Sequence, residues 1–141
     1  MECRHYRRYA GRAHGPAFAL MRVVKRALVC EDDAPIRALV TRIVQREGFD
    51  VDAVIDGGDA LAKIESDGYD LIVLDLMMPR VDGLEVIRRL RYERPAHLKH
   101  AIVMTAATDN VAAFVEPVCT ILSKPFDIDR LAKAVRACAK E

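Results

Sequence analysis

Short apolar runs separated by helical patterns are the feature that most constrains the fold of this chain. Four such runs lie at 27–30, 71–74, 101–104 and 118–122, and residues 50–54 alternate apolar with polar side chains. A short continuous apolar run suits a strand buried on both faces of a parallel sheet, whereas an alternating run suits a strand nearer the sheet edge. The sequence therefore predicts five strands.

The stretches between these strands carry apolar residues at helical spacing. Helical patterns cover residues 35–46, 59–66, 84–92 and 128–138, each with one apolar stripe, and Gly or Pro residues lie between the elements. Strands that alternate with helices form a parallel sheet covered on both faces and joined by right-handed crossovers. We predict one α/β domain, with a doubly wound five-stranded parallel sheet and five helices.

Polar side chains follow four of the predicted strands. The acidic run 31–33 follows the first strand, Asp75 the third, Thr105 the fourth and Lys124 the fifth. Sites in such sheets form beyond the carboxyl ends of the strands. Carboxylates that converge there repel one another and need a cation, and a small set of oxygen ligands suits Mg²⁺. A nearby hydroxyl and ammonium would suit an added phosphoryl group, which suggests aspartyl-phosphate chemistry.

Each of these residues also has an ordinary structural interpretation. Asp33 precedes Ala34 and Pro35, and we expect it mainly to cap a helix. Asp75 could be another cap, Thr105 a β-branched strand residue and Lys124 a surface lysine. Asp75 follows four apolar residues, where a charge is costly unless it is needed, and the four strand ends agree with one another. We therefore favour a functional role for the set.

Four stretches of the chain resemble the receiver domain of two-component response regulators. They are ALVCEDDAPIRALV, YDLIVLDLMMPRVDGLEVIRRLR, IVMTA and LSKPF, and the resemblance covers about residues 24–140. It implies a flavodoxin-like fold with strand order 2-1-3-4-5. The expected organisation is a basic leader over residues 1–23, followed by a receiver domain over residues 24–141.

The resemblance also implies a magnesium site at the acidic strand ends. Asp32 and Asp75 would bind Mg²⁺ directly, Glu31 would bind it through water, and the backbone carbonyl of Met77 would be the third protein ligand. Asp75 would be the phosphoacceptor as well as a ligand.

Two further residues would contact the phosphoryl group in such a domain. These are Thr105 and Lys124, and the Lys124-Pro125 peptide bond would be cis. Asp75 would receive its phosphoryl group from a phosphohistidine on a histidine kinase or phosphotransfer protein. The expected protein is a stand-alone cytoplasmic regulator that signals through protein contacts. It would bind neither DNA nor membrane directly, and its only activities would be self-phosphorylation from small donors and self-dephosphorylation.

Two other functions compete with this interpretation. One is an interaction domain that works without phosphorylation. The other is an enzyme of the haloacid dehalogenase type, which also uses a strand-end Asp and Mg²⁺ but resembles D-x-D. In this chain Met77, not a second acid, lies two residues after Asp75. Phosphorylation by a small donor would separate the leading interpretation from the interaction domain.

The chain departs from the usual receiver pattern at two places. Eighteen residues separate Thr105 from Lys124, a few fewer than is usual, and Pro117 ends any helix there, so we expect a short or irregular fourth helix. Ile121 stands where the family generally has Tyr or Phe, an aromatic ring that reports phosphorylation. Ile121 is either a well-packed strand residue with signalling intact or a sign of a switch that relies on Thr105 and loop movement.

Two apolar residues are expected to overlook the approach of water to an acyl phosphate. Met77 lies two residues after Asp75, and Ala107 lies two after Thr105. Met77 offers only a weak sulfur acceptor and Ala107 offers no polar group, so neither would orient an attacking water. We expect slow self-dephosphorylation.

Charge and cysteine content bound the remaining features. Residues 1–26 carry seven Lys/Arg and one acid, whereas residues 27–141 carry fifteen and twenty. The basic arm is expected to be a dispensable leader up to residue 20, although basic arms also bind nucleic acid or acidic surfaces. The four cysteines are scattered without metal spacing. We expect Cys30 and Cys119, which lie in apolar runs, to be small buried side chains in a reducing cytoplasm.

Overall fold

The computed structural model describes residues 24–66, 68–78, 81–106 and 111–140. The strands are β1 (Lys25–Cys30), β2 (Phe49–Val54), β3 (Leu71–Asp75), β4 (Ala101–Thr105) and β5 (Thr120–Ser123). The helices are α1 (Ala34–Arg46), α2 (Gly57–Ser66), α3 (Gly83–Glu93), α4 (Pro95–Leu98), α5 (Ala112–Val115) and α6 (Ile128–Cys138). The predicted leader lies outside the described residues.

The strands form one parallel sheet in the order β2-β1-β3-β4-β5. This confirms the predicted order and places the alternating strand β2 at an edge. The described residues contain six helices where five were predicted. The additional one is α4, a single four-residue turn that begins at Pro95 and is too short to give a periodic pattern.

Two apolar cores lie on the two faces of the sheet. One face is covered by α2 and α3 together with the short helices α4 and α5, and the other by α1 and α6. Successive strand residues point to opposite faces, so that Leu28 and Cys30 enter the first core while Ala27 and Val29 enter the second. Helices therefore cover both faces of the doubly wound sheet, and the carboxyl ends of the strands meet at one edge.

Aspartates at the amino ends of the long helices fix where these helices begin. The Asp33 carboxylate accepts a hydrogen bond of 3.0 Å from the Ile36 N–H, which confirms its predicted role as the cap of α1. Asp82 caps α3 in the same way, and Asp127 caps α6. Each of these helices follows a strand, so the caps lie at the same end of the sheet as the predicted site.

The predicted start of the last strand is wrong by two residues. The Val118 N–H donates to the Val115 carbonyl at 3.2 Å and closes the turn after α5, so Val118 does not join the sheet. At the other ends, β3 and β4 each extend one residue further than their apolar runs. Asp75 and Thr105 are therefore the last residues of their strands rather than the first loop residues.

The expectation of a small buried side chain is wrong for Cys119, which is exposed and bonded to another cysteine. Cys119 and Cys138 form a disulfide, although 19 positions separate them in the sequence. The crossover from β5 into α6 turns the helix back along the sheet, so that the end of α6 returns beside the start of β5. Cys30 is free and buried as predicted.

Candidate functional site

The predicted site residues lie together at the carboxyl ends of the strands. Glu31, Asp75 and Thr105 are 0%, 2% and 1% exposed, whereas Asp32 is exposed. Glu31 and Asp32 directly follow β1, and Asp75 and Thr105 end the two strands next to each other in the sheet. The site therefore consists of three buried polar side chains, with the exposed Asp32 between them and the solvent.

Lys124 links the buried acids across the site. Its ammonium nitrogen Nζ lies 2.8 Å from Glu31 Oε1 and 3.3 Å from Asp75 Oδ2. The backbone of Lys124 is held as well, because its N–H donates to the Thr105 carbonyl at 2.8 Å. The Lys124-Pro125 peptide bond is cis, as expected. The chain thus fixes both the backbone and the charged end of this lysine.

The shared lysine and the burial move two pKa values. Burial raises the pKa of Glu31 and the charge of Asp75 adds to the rise, while hydrogen bonds from Lys124 and from the Asp33 N–H oppose it. Burial alone would lower the pKa of Lys124, but the hydrogen bond to Glu31 and the charge of Asp75 outweigh it, so this pKa is raised. Lys124 is therefore held in its charged form, and the negative charge on Glu31 is less favourable than in water.

The three acids have the geometry of a cation site. One carboxylate oxygen from each of Glu31, Asp32 and Asp75 lies within 4.8 Å of the others. The Lys124 ammonium contacts two of these carboxylates, Glu31 and Asp75, and no described residue donates a hydrogen bond to the Asp32 side chain. Because the acids exceed the neighbouring cations and offer only oxygen ligands, the donor set fits a hard divalent ion.

The loop after Asp75 is fastened to two helices. The Met77 N–H donates to Asp75 Oδ1 at 3.2 Å, while the Met77 side chain is 67% exposed. The Gly57 N–H, at the start of α2, donates to the Val81 carbonyl at 2.9 Å. At the start of α3, the Gly83 N–H donates to the Leu76 carbonyl at 3.0 Å. Ala107, the other residue expected to overlook the site, lies outside the described residues.

Sequence reasoning missed one side chain that shapes the acidic turn. The sequence pattern of α1 gave Arg37 no role in the site, yet its Nη1 donates to the carbonyls of Glu31 at 3.0 Å and Asp32 at 3.3 Å. These bonds hold the turn between β1 and α1 and place a positive charge behind it. The sequence did contain one signal for this contact, because Arg37 lies only six residues after Glu31 and in the first turns of a capped helix.

Cys30 belongs to the apolar core next to the acidic residues. Its thiol lies 3.3 Å from the Asp56 carbonyl and 3.2 Å from the Met78 sulfur. Burial, followed by the charges of Asp75 and Glu31, raises the pKa of Cys30 to about 12. This thiol therefore stays protonated and acts as a packing residue.

The helix between Thr105 and Lys124, which was expected to be short or irregular, is short among the described residues. It is α5, a single turn of four residues, and Arg91 of α3 holds its end by donating to the carbonyls of Phe114 at 2.9 Å and Glu116 at 2.7 Å. Ile121 is partly buried and packs against the core that α2 and α3 cover. Its contacts fit a packed strand residue.

A second polar cluster lies near the amino ends of the strands. This amino-end cluster consists of Arg26, Asp52, Tyr69 and Asp70. Arg26 forms an ion pair with Asp52, and its guanidinium carbon lies 5.0 Å from the centre of the Tyr69 ring. The Tyr69 hydroxyl donates to Asp52 Oδ2 at 2.6 Å, and the Arg26 N–H donates to Asp70 Oδ2 at 2.9 Å. Each carboxylate of this cluster therefore has a donor from the chain.

Comparisons with known proteins agree with this fold. The family model described as "Response regulator receiver domain" matches residues 27–136. The chain is 38% identical over 134 residues to the transcriptional regulatory protein TcrA of Mycobacterium tuberculosis, which covers 93% of this chain and 52% of that protein. It is 35% identical over 113 residues to the response regulator ArlR of Staphylococcus saprophyticus, covering 78% and 50%.

A solved structure is also similar over nearly its whole length. It is the response regulator TrrA of Thermotoga maritima in complex with Mg²⁺-BeF, with 32% identity, a TM-score of 0.70, and coverage of 81% of this chain and 98% of that one. The chain spans about half the length of the curated relatives it matches. Across the described ranges, every helix is too short or too polar to cross a membrane.

Proposed function

The chain belongs to the response regulator receiver domain family, and from this premise we propose that it accepts a phosphoryl group on Asp75 with the help of Mg²⁺. The donor is a phosphohistidine of a histidine kinase or of a phosphotransfer protein in the cytoplasm. The product signals through contacts with a downstream protein.

One observation carries this proposal. Asp75 is buried at the end of β3, its Oδ2 lies 3.3 Å from Lys124 Nζ, and its carboxylate lies within 4.8 Å of those of Glu31 and Asp32. A purely structural carboxylate at that position would be paired with a cation of its own, and would have no reason to share it with Glu31 and to lie beside Asp32 as well. The surplus acid is expected where a metal and a phosphoryl group are to be bound.

The chain's own groups would position the transfer. Asp75 attacks the phosphorus atom, so that an O–P bond forms while the N–P bond to the donor imidazole breaks and its electron pair returns to the ring. The ammonium of Lys124 provides a positive charge for the oxygens of the transferred phosphoryl group. Thr105 provides a hydroxyl group for the same oxygens. Asp32, Asp75 and the Met77 carbonyl would hold Mg²⁺ directly and Glu31 would hold it through water, and the ion would supply positive charge to the phosphoryl oxygens.

Asp75→Asn tests the assignment of the acceptor. The parent chain, incubated with acetyl phosphate and Mg²⁺, should gain one acid-labile, hydroxylamine-sensitive phosphoryl group by intact mass measurement. Asp75→Asn keeps the volume and removes the nucleophile, so the gain should disappear while the melting temperature shows a folded protein. Omitting Mg²⁺ should prevent the gain in the parent.

Asp70→Asn is the matched control. Asp70 directly precedes β3, as Asp75 ends it, and accepts a hydrogen bond from the Arg26 N–H. Its substitution should leave phosphorylation unchanged. Label that persists in Asp75→Asn, or that is lost in Asp70→Asn, would show that the acceptor is assigned to the wrong residue.

The phosphorylation-independent interaction domain remains the second candidate. It is favoured by Ile121, which replaces the usual aromatic residue, and by the single turn of α5. A parent chain that stays unmodified with both Mg²⁺ and acetyl phosphate would support this candidate. Membership in the receiver family leaves the dehalogenase hypothesis without support.

A further inference from the structure

A covalent bond closes the last strand–helix unit of the fold on itself. Cys119 directly precedes β5, Cys138 is the last residue of α6, and their sulfurs form a disulfide. The closed loop contains β5, Lys124 and the whole of α6. This pairing has no part in the phosphoryl chemistry described above, and so needs an account of its own.

The two cysteines differ in their exposure to solvent. Cys119 is exposed, whereas Cys138 is 2% exposed and belongs to the core under α1 and α6. A thiolate from solution is therefore expected to approach the disulfide from the Cys119 side. Exposed disulfides are the ones that take part in exchange.

Non-covalent contacts hold the same end of the chain independently of the disulfide. The His100 Nδ1 lies 2.8 Å from the Cys138 carbonyl oxygen, and the Lys140 N–H donates to the Asp70 carbonyl at 2.9 Å. Lys25 Nζ in turn donates to the Lys140 carbonyl at 2.7 Å. Together with the buried side chains of α6, these contacts keep the helix on the sheet when the sulfur–sulfur bond is absent.

Lys124 is also fixed without the disulfide. Its N–H bonds to the Thr105 carbonyl, its ammonium contacts Glu31 and Asp75, and β5 pairs with β4 on both sides of Ile121. Breaking the disulfide should therefore change the stability of α6 and leave the geometry around Lys124 unchanged.

We propose that Cys119 and Cys138 form a thiol–disulfide exchange site whose co-reactant is a dithiol, and that its redox state sets how firmly α6 is held on the sheet. A thiolate of the dithiol attacks the Cys119 sulfur, and the Cys138 sulfur leaves as a thiolate and takes a proton. The second thiolate of the dithiol then closes its own disulfide and releases Cys119. The dithiol loses two electrons, and the two cysteines gain them.

Peptide mapping and thermal unfolding test the two parts of this proposal. After tryptic digestion without reductant, the peptide 100–130, which keeps its Lys124-Pro125 bond, should be linked to the peptide 137–140. Excess dithiothreitol should release both peptides. It should also lower the melting temperature of the full chain by roughly 5–10 °C, because the reduced unfolded chain regains the freedom of a loop of about twenty residues.

Cys119→Ser is the matched variant, because an exposed serine can replace the exposed cysteine without leaving a cavity. It should melt near the temperature of the reduced parent and should not respond to dithiothreitol. Hydrogen exchange at residues 134–140 should be faster in the reduced parent than in the oxidised one, while exchange in β1 and β3 stays the same. Phosphorylation of Asp75 should proceed at the same rate in both states.

Three outcomes would overturn the proposal. One is the absence of the linked peptide pair in protein purified without reductant. Another is an equal effect of dithiothreitol on Cys119→Ser, which would place the redox response elsewhere. The last is a disulfide that stays oxidised in the folded chain at every ratio of reduced to oxidised dithiothreitol, which would make it a fixed structural link.

Discussion

The two polar clusters at opposite ends of the sheet contain similar side chains but differ in how their charges are paired. In the amino-end cluster the Arg26 guanidinium pairs with Asp52, which also accepts from Tyr69, while Asp70 accepts from a backbone N–H. At the carboxyl ends, the Lys124 ammonium contacts two almost fully buried carboxylates, and the exposed Asp32 lies beside them. Each carboxylate of the first cluster has a donor from the chain, while the second cluster keeps an excess of negative charge.

The difference gives a physical criterion for separating a candidate functional site from a structural cluster in the same fold. A buried carboxylate with a donor for its charge stabilises the sheet and needs nothing further. Three carboxylates that repel one another beside a single lysine destabilise the fold unless a cation binds to them. Substitutions in the two clusters should therefore alter different properties.

The largest difference is expected from Asp32→Ala. In the parent, Mg²⁺ at about thirty times its dissociation constant should stabilise the fold by about 2 kcal/mol, through binding to the folded state alone. Asp32→Ala should abolish both this stabilisation and phosphorylation. Thermal unfolding with and without Mg²⁺, together with intact mass after acetyl phosphate treatment, measures both effects.

Asp33→Ala is the control for this experiment. Asp33 lies next to Asp32 but caps α1, so its loss should cost about 1 kcal/mol of stability and leave the Mg²⁺ effect intact. If Asp32→Ala and Asp33→Ala changed the Mg²⁺-dependent stabilisation equally, the acidic cluster would not be a metal site.

The amino-end cluster should respond in the opposite way. Tyr69→Phe removes the hydroxyl that donates to Asp52 at 2.6 Å, and should cost about 1–2 kcal/mol in denaturant unfolding. Phosphorylation should proceed at the parent rate, because no site residue is touched. Tyr92→Phe, at a tyrosine that is 88% exposed, should change neither property. A slower phosphoryl transfer in Tyr69→Phe would show that the two ends of the sheet are coupled.

A smaller effect is expected when a polar group is added at the rim of the site. Met77 is mostly exposed beside Asp75 and provides no group that orients water. Met77→Asn should speed loss of the phosphoryl group by roughly threefold to tenfold, since an amide can position the attacking water. The measurement is loss of label from purified phosphoprotein. Met77→Leu should match the parent, and a Met77→Asn variant with parent kinetics would contradict the expectation.

Sequence patterns were sufficient for the central strands β3 and β4 because every residue of these strands is buried. The runs at 71–74 and 101–104 are apolar throughout, and the charged or hydroxylated residue after each run marks the end of the strand at the site. Asp33 could be assigned as a cap because capping is local and depends on the next three residues. For such features the sequence neighbourhood contains most of the physics.

Contacts between distant residues were missed for the complementary reason. The disulfide between Cys119 and Cys138 and the hydrogen bond from Tyr69 to Asp52 depend on how the chain returns to the sheet, which no local pattern encodes. Arg37 was missed because its partners are backbone carbonyls, which every sequence has. The single turn of α4 was missed because four residues give no period.

The two glycines that fasten the loop after Asp75 also limit which sequences can keep this site. A Cβ atom added at Gly57 would lie 2.1 Å from the Val81 carbonyl oxygen, and one added at Gly83 would lie 2.5 Å from the carbonyl oxygen of Asp75. Even alanine at either position would push this loop away from α2 or α3, although neither glycine is among the proposed ligands of Mg²⁺ or the phosphoryl group. Both positions should therefore be as intolerant of substitution as the acceptor itself, and a screen for function would mark them without revealing that their role is to leave space.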